Sequence, residues 1–234
     1  MNFKVLLATG DTHGDWNRIY DFIDKHKLNE ESTGIVILGD AGLFWQNNKK
    51  DAQEKIAYHE AFNFFHIFFI DGNHENFKLL KQIEIDTATG MGEISEHIHY
   101  LPRGFNWQPI VNNKQLNILC CGGADSVDRH LRIEGLSWWS EEAISAEDIK
   151  KIDSSIQYDY VLTHCCPIDI FNQYKVFLTT LNLNENIIDH NSEIKLQELC
   201  NKIVFNKWLF GHYHQDIQLN DKFQCLLWNF IELK

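Results

Sequence analysis

Oxygen and nitrogen donors recur in this chain directly behind apolar runs. Asp11 and His13 follow the run Phe3–Leu7, and Asp40 follows Gly34–Gly39. Asn73 and His74 end the segment Phe65–His74, His164 ends Tyr160–His164, and His212 and His214 end Lys207–His214. Leaving His74 aside, these donors comprise two carboxylates, one amide oxygen and four imidazoles. That exceeds what a single four-coordinate ion requires. It suits two ions about 3.5–4 Å apart that share one carboxylate. Imidazole is the dominant donor, which favours Mn, Fe, Zn or a similar metal over Mg or Ca. Asp11 and His13 are two apart, as are His212 and His214, so in extended or turning backbone each pair can bite one ion or reach across two.

The elements that must position these donors are short strands. Gly34–Asp40 is continuously apolar before its end, as in a strand covered on both faces. Gln115–Asp125 and Phe223–Phe230 read as further strands. Helical periodicity lies between them: Asp15–His26 carries Trp16, Ile19, Tyr20 and Ile23 on one stripe. Asp51–Phe65, Glu75–Ile85, Glu141–Ile152 and Ser192–Val204 are the other predicted helices. Ser145 with Asp148 resembles a capping box that restarts a broken helix, and Ser192 suits an N-cap. Strands alternating with helices predict an α/β layered fold whose first three strands are parallel. In such sheets ligands bind beyond the carboxyl ends of the strands, where all of these donors fall. The chain has no internal repeat and no Pro/Gly-rich linker, and its only prolines are Pro102, Pro109 and Pro167. One domain over residues 1–234 is expected.

Composition narrows the partners. The net charge of −12 repels nucleic-acid backbones and anionic membranes, so neither a polymeric nucleic acid nor a membrane is an expected partner. No apolar run spans a bilayer, and the N-terminal apolar stretch is too short for a secretory signal. Cys120, Cys121, Cys165, Cys166, Cys200 and Cys225 form neither a disulfide framework nor a zinc pattern. They read as free thiols of a cytoplasmic protein, with a thiolate role beside His164 for Cys165 and Cys166 the less favoured reading.

The segments "GDTHG" (Gly10–Gly14), "GD" (Gly39–Asp40), "GNHE" (Gly72–Glu75), "TH" (Thr163–His164) and "GHYH" (Gly211–His214) together resemble the calcineurin-like metallophosphoesterase superfamily. They fall in family order over most of the chain. The resemblance implies a four-layer α/β/β/α sandwich on two mixed sheets. It implies one metal held by Asp11, His13, Asp40 and His214, and a second held by Asp40, Asn73, His164 and His212. Asp40 would bridge, and His74 would stand beside the metals as a catalytic non-ligand.

A dinuclear centre of this kind implies metal-dependent phosphoester hydrolysis by a bridging hydroxide, with Mn the favoured cofactor. Two divalent ions less two carboxylates and a hydroxide leave the site at about +1, attractive to phosphate within an acidic chain. His74 is the candidate for protonating the leaving oxygen. "GGADSVDRHLR" (Gly122–Arg132) resembles a segment of a bacterial and phage subset of the superfamily. Its Arg129 and Arg132 are candidate phosphate-binding residues, against the plainer reading of Arg–Asp pairs that fix a loop. Trp138 and Trp139 are read as core, with stacking on a substrate base the alternative. His26, His59, His66, His97, His99, His130 and His190 are read as structural. Protein serine/threonine phosphatases of the superfamily continue the second block Gly-Asp-x-Val-Asp-Arg-Gly, whereas this chain reads "GDAGLFW" (Gly39–Trp45). The substrate expected is therefore a small or nucleotide-like phosphodiester or phosphomonoester. A protein phosphatase and a non-catalytic metal-binding scaffold are the alternatives.

Overall fold

The computed structural model describes residues 1–45, 49–178 and 189–234. The apolar runs named above become the central strands of two six-stranded sheets. In the first, the order is Ile231–Glu232, Val5–Thr9, Thr33–Leu38, His66–Ile70, Ile98–Tyr100, Gly92–Glu93. In the second, it is Ile217–Gln218, Phe223–Cys225, Val204–Phe210, Gln157–Thr163, Ile118–Cys121, Phe105–Trp107. The four inner strands of each sheet are parallel and the edge strands antiparallel. Both sheets are therefore mixed.

The two-residue alternation of strand side chains sorts the core into three layers. Leu6, Ala8, Val36, Leu38, Phe68 and Ile70 meet Ile118, Cys120, Leu162 and Leu209 of the second sheet. Their neighbours Leu7, Ile35, Ile37, Ile67 and Phe69 face Trp16, Ile19 and Ile23 of the helix Asn17–His26 and Ala52 of the helix Lys49–Phe62. On the far side, Leu119, Val161, Trp208 and Phe210 pack on Phe171, Leu178, Leu196 and Leu199 of the helices Ile168–Leu178 and Asn191–Cys200. The architecture is the predicted α/β/β/α sandwich. Among the described residues no helix is long and apolar enough to cross a membrane.

Three predicted helices are altered, each because tertiary partners claim groups that a helix would use. Glu75–Ile85 shrinks to Phe77–Leu80, capped by Asn76, because the His74 amide and the Glu75 carboxylate are bonded to the Asp40 loop. Glu141–Ile152 breaks into a 3₁₀ turn, Ser140–Glu142, and the helix Ala146–Lys150 behind the predicted Ser145–Asp148 capping box. Arg103 takes the carbonyls of Glu141, Glu142 and Ala143. Ser192 is not the N-cap of its helix, which begins at Asn191. Its hydroxyl instead accepts from the Ile144 amide, and its own amide donates to Asp125 at 2.7 Å. The helix Ile168–Leu178 lies outside the predicted set. Its apolar residues fall on more than one face, with Phe171 and Leu178 buried and Val176 and Phe177 exposed, which blurs the 3.6-residue period.

At the opposite end of the first sheet from the donor-bearing loops, four histidines cluster. His59 Nε2 donates to the Phe65 carbonyl at 2.9 Å, His66 Nδ1 and His99 Nε2 are 3.1 Å apart, and His97 Nδ1 lies 2.7 Å from Glu60. Burial pushes the buried His59 and His99 down to about 4 from 6.5. Between those values the unfolded chain binds more protons than the folded one. This contribution is therefore fully present above pH 6.5 and is lost as pH falls through about 4. Each histidine is expected to remove up to about 3 kcal/mol. Urea unfolding at pH 7 and pH 4.5 should show a smaller pH-dependent loss in His59→Gln and His99→Gln than in the unsubstituted chain; equal losses would refute the assignment.

Candidate metal centre

The carboxyl ends of the inner strands deliver all seven predicted donors to one place. His13, Asp40, His212 and His214 adopt positive φ of 47°, 50°, 65° and 53°. Such backbone costs about 1–3 kcal/mol per residue and clusters at functional sites. Two glycines admit the carboxylates: a Cβ on Gly211 would lie 2.2 Å from Asp11 Oδ1, and one on Gly72 would lie 2.2 Å from Asp40 Oδ1.

Asp11 and Asp40 are held alike. Asp11 Oδ1 accepts from the His212 amide at 2.9 Å, and Asp40 Oδ1 accepts from the His74 amide at 2.9 Å. Each carboxylate thereby turns its Oδ2 toward imidazoles. Asp11 Oδ2 lies 3.2 Å from His214 Nε2 and 3.8 Å from His13 Nε2, yet it is buried without a hydrogen bond of proper geometry. Asp40 Oδ2 lies 3.4 Å from His164 Nε2, 3.8 Å from His74 Nε2 and 4.0 Å from His13 Nδ1. Asn73 Oδ1 sits 3.0 Å from His164 Nε2 and 3.1 Å from His212 Nδ1. His164 Nδ1 donates to the Leu38 carbonyl at 2.7 Å across the two sheets. That bond directs Nε2 into the site, as backbone carbonyls do for metal-bound histidines.

The donors fall into two lobes that share Asp11: ligand atoms of Asp11, His13 and His214 lie within 4.8 Å of one another, as do those of Asp11, Asp40 and His164. Burial, the largest single influence, would raise both aspartates, but the surrounding histidines together outweigh it: Asp11 is lowered, chiefly by His164 and His214, and Asp40 well lowered, chiefly by His164 and His74. Burial would lower His164, yet Asp40 and Asp11 push it up to about 10. Burial drives His212 down to about 3. Two buried ionised carboxylates, one with an orphaned oxygen, call for positive charge between the lobes, and N/O donors fit divalent cations there.

A cavity of ≈ 360 Å³ opens beside the lobes, lined by Asp40, Asn73, His74, Arg132, His212 and His214 among others. The segment Gly122–Arg132 forms one wall. Its two arginines diverge. Arg132 Nη2 donates to His74 Nε2 at 3.1 Å while its Nε pairs with Asp128 at 2.7 Å. Arg129 turns away, pairing with Asp189 at 2.9 Å and lying 4.3 Å over the Trp138 ring. Trp139 is buried in the first sheet's helical layer, and neither tryptophan lines the cavity. His130, read as structural, does line it. Cys165 and Cys166 are fully buried with thiols raised well above the usual range by burial, which disfavours thiolate chemistry beside His164. All six cysteines are free.

Sequence reasoning missed the residues that brace this site. Glu75 accepts from the Ala41 amide at 2.9 Å and the Gly72 amide at 2.6 Å, tying the second donor loop to the third. Ser126 accepts from Asn73 Nδ2 at 3.1 Å and donates to Glu142 at 2.9 Å. Arg18 donates to the Gly10 and Asp11 carbonyls at 2.8 and 3.1 Å. The position of Glu75 inside "GNHE" was the available signal; the others carry no local one.

The four-layer sandwich thus gathers at its strand ends carboxylates and imidazoles that could hold a metal ion. The chain belongs to the calcineurin-like phosphoesterase family, whose family model matches residues 4–216. An uncharacterized protein of Haemophilus influenzae is 35% identical over 72 residues, 31% of this chain and 26% of that protein. The match thus spans about a quarter of that relative's length. Among solved structures, phosphopantetheinyl hydrolase from Mycobacterium tuberculosis is similar at 10% identity and a TM-score of 0.46, over 95% of this chain and 89% of that one.

Proposed function

We propose that this protein hydrolyses a small, nucleotide-like phosphodiester or phosphomonoester at a two-cation centre with Mn favoured. One cation is held by Asp11, His13, Asp40 and His214, the other by Asp40, Asn73, His164 and His212. The observation that carries this reading is the matched pair of buried carboxylates, each fixed at Oδ1 by a backbone amide and presenting Oδ2 to imidazoles. Two bound divalent ions would supply a water-derived nucleophile at neutral pH and neutralise charge developing on phosphate.

The chain's own side chains do the rest. Arg132 reaches the cavity beside His74 and binds a phosphate oxygen through its guanidinium. That contact releases His74 Nε2, which accepts from Arg132 in this structure; the freed nitrogen takes a proton from solvent and passes it to the leaving oxygen. The cavity's ≈ 360 Å³ sits at the small end of ligand sites, which favours a compact substrate. Arg132 also supplies the guanidinium missing from the second block, so that departure no longer argues against a phosphopeptide. Free thiols and the acidic balance favour a cytoplasmic setting with no polymeric nucleic acid.

Hydrolysis of bis-p-nitrophenyl phosphate and p-nitrophenyl phosphate by Mn²⁺-loaded protein tests the reading. Turnover of at least one of the two is expected; a kcat/KM about tenfold higher for the diester, about 1.4 kcal/mol, would make the protein a phosphodiesterase, and the reverse a phosphomonoesterase. Turnover of neither with two metals bound would leave the scaffold reading.

A further inference from the structure

The segment after Asp40 does more than depart from the protein-phosphatase pattern. Residues Gly39–Trp45 run back against the third donor loop. The Phe44 carbonyl accepts from the Asn76 amide at 2.8 Å, and Trp45 is bridged in antiparallel fashion to Glu75. This pairing sets the Trp45 indole flat on the His74 imidazole, with ring centroids 4.6 Å apart and planes 10° apart. The same indole meets His13 edge-on at 5.5 Å.

His74 has a fixed backbone and a side chain whose direction matters. Its amide is tied to Asp40 Oδ1, but nothing in that bond sets its two side-chain torsions. Its Nε2 must stay between Asp40 Oδ2 at 3.8 Å and the Arg132 guanidinium at 3.1 Å to face the cavity. Arg132 leaves that position when it binds phosphate in the reading above. His13 touches the imidazole only across an 82° interplanar angle. Among the described residues, Trp45 is the one ring that lies parallel to His74. A plane-on-plane contact resists rotation about the outer torsion in a way an edge contact does not. The energy of such an aromatic pair amounts to roughly a 2- to 12-fold bias of rotamer population.

We propose that Trp45 is the positioning residue for His74: its indole holds the imidazole in the orientation that aims Nε2 at the leaving oxygen, and it sets turnover through His74 rather than through the metals. This rests on the reading of His74 as the leaving-group acid. The proton passes from Nε2 to the leaving oxygen as the P–O bond breaks.

A double-mutant cycle on the Mn²⁺-loaded protein tests it, with diesters carrying p-nitrophenyl and the less acidic phenyl leaving group. Trp45→Ala is expected to lower kcat about tenfold, with KM within about threefold and two metals still bound. A loss of this size is within the reach of a misplaced catalytic group. The loss should be larger for phenyl than for p-nitrophenyl, because the poorer leaving group depends more on the proton. Trp45→Phe, which keeps a flat ring there, should recover most of kcat. In a His74→Asn background, Trp45→Ala should cost nothing further. If the two losses multiply, or if Trp45→Ala loses metal, Trp45 is a structural residue and the proposal fails while the acid reading stands. If His74→Asn alone leaves kcat unchanged for both esters, the acid reading fails first and takes the proposal with it.

Discussion

Asp40→Asn is expected to remove at least one of two bound divalent ions and to lower turnover by about 10³-fold or more. The size follows from the role proposed for the centre, since metal ions supply several kcal/mol of transition-state stabilisation and each 1.36 kcal/mol is tenfold in rate. Asp40 belongs to the lobe of Asp11 and His164 and faces His13 of the other. Its Oδ2 has His164 at 3.4 Å on one side and His13 at 4.0 Å on the other, so its charge serves both. The substitution is gentle to the fold. An asparagine oxygen can still accept the His74 amide that Oδ1 now accepts at 2.9 Å. The amide group removes one negative charge from a buried site, and an NH₂ in place of Oδ2 offers a metal no lone pair. Metal analysis of the purified protein, with far-UV circular dichroism to confirm folding, measures the effect. A folded Asp40→Asn protein that keeps two metals and full activity would remove Asp40 from the centre.

The donor residues were legible in the sequence because two independent signals coincide at each. An apolar run marks a strand, and a donor at its end marks the edge where α/β sheets bind ligands. Asp11, His13, Asp40, Asn73, His164, His212 and His214 all carry both signals, and the fold brings them together. An α/β layering was legible in strands alternating with helices and the four-layer sandwich in the family resemblance, and alternate residues of Ile35–Leu38 and Ile67–Ile70 do face opposite sides of the first sheet. What stayed hidden depends on partners distant in the chain. Arg129 and Arg132 are three residues apart and chemically alike. Which one enters the cavity is decided by Asp128 and by Asp189, the latter 60 residues beyond Arg129. The early ends of the predicted helices have the same origin. Arg103 claims the carbonyls that would have carried a helix through Glu141–Ala143, and no local pattern encodes that. Trp45 reads as one more apolar residue until Glu75 is placed opposite it.

His74→Asn should separate chemistry from metal binding. The expected result is two metals retained, KM within a few-fold, and kcat lowered by about 10²–10⁴, the usual worth of a positioned acid or base. The geometry supports the split. What ties His74 to Asp40 is its backbone amide, which asparagine keeps, while the imidazole faces the cavity beside Arg132. Its Nε2 stands 3.8 Å from Asp40 Oδ2 and accepts from the Arg132 guanidinium at 3.1 Å, so it is turned to the cavity and to Arg132. The loss should also track the leaving group. An ester whose departing oxygen is already a weak base needs little protonation, so p-nitrophenyl diesters should lose least and phenyl diesters most. A uniform loss across leaving groups would move His74 from proton donor to a stabiliser of charge on phosphate, and loss of metal would make it a ligand. Either result would redirect the role of Trp45, which touches the reaction only through what His74 does at its Nε2, and would leave Arg132 with its phosphate contact alone.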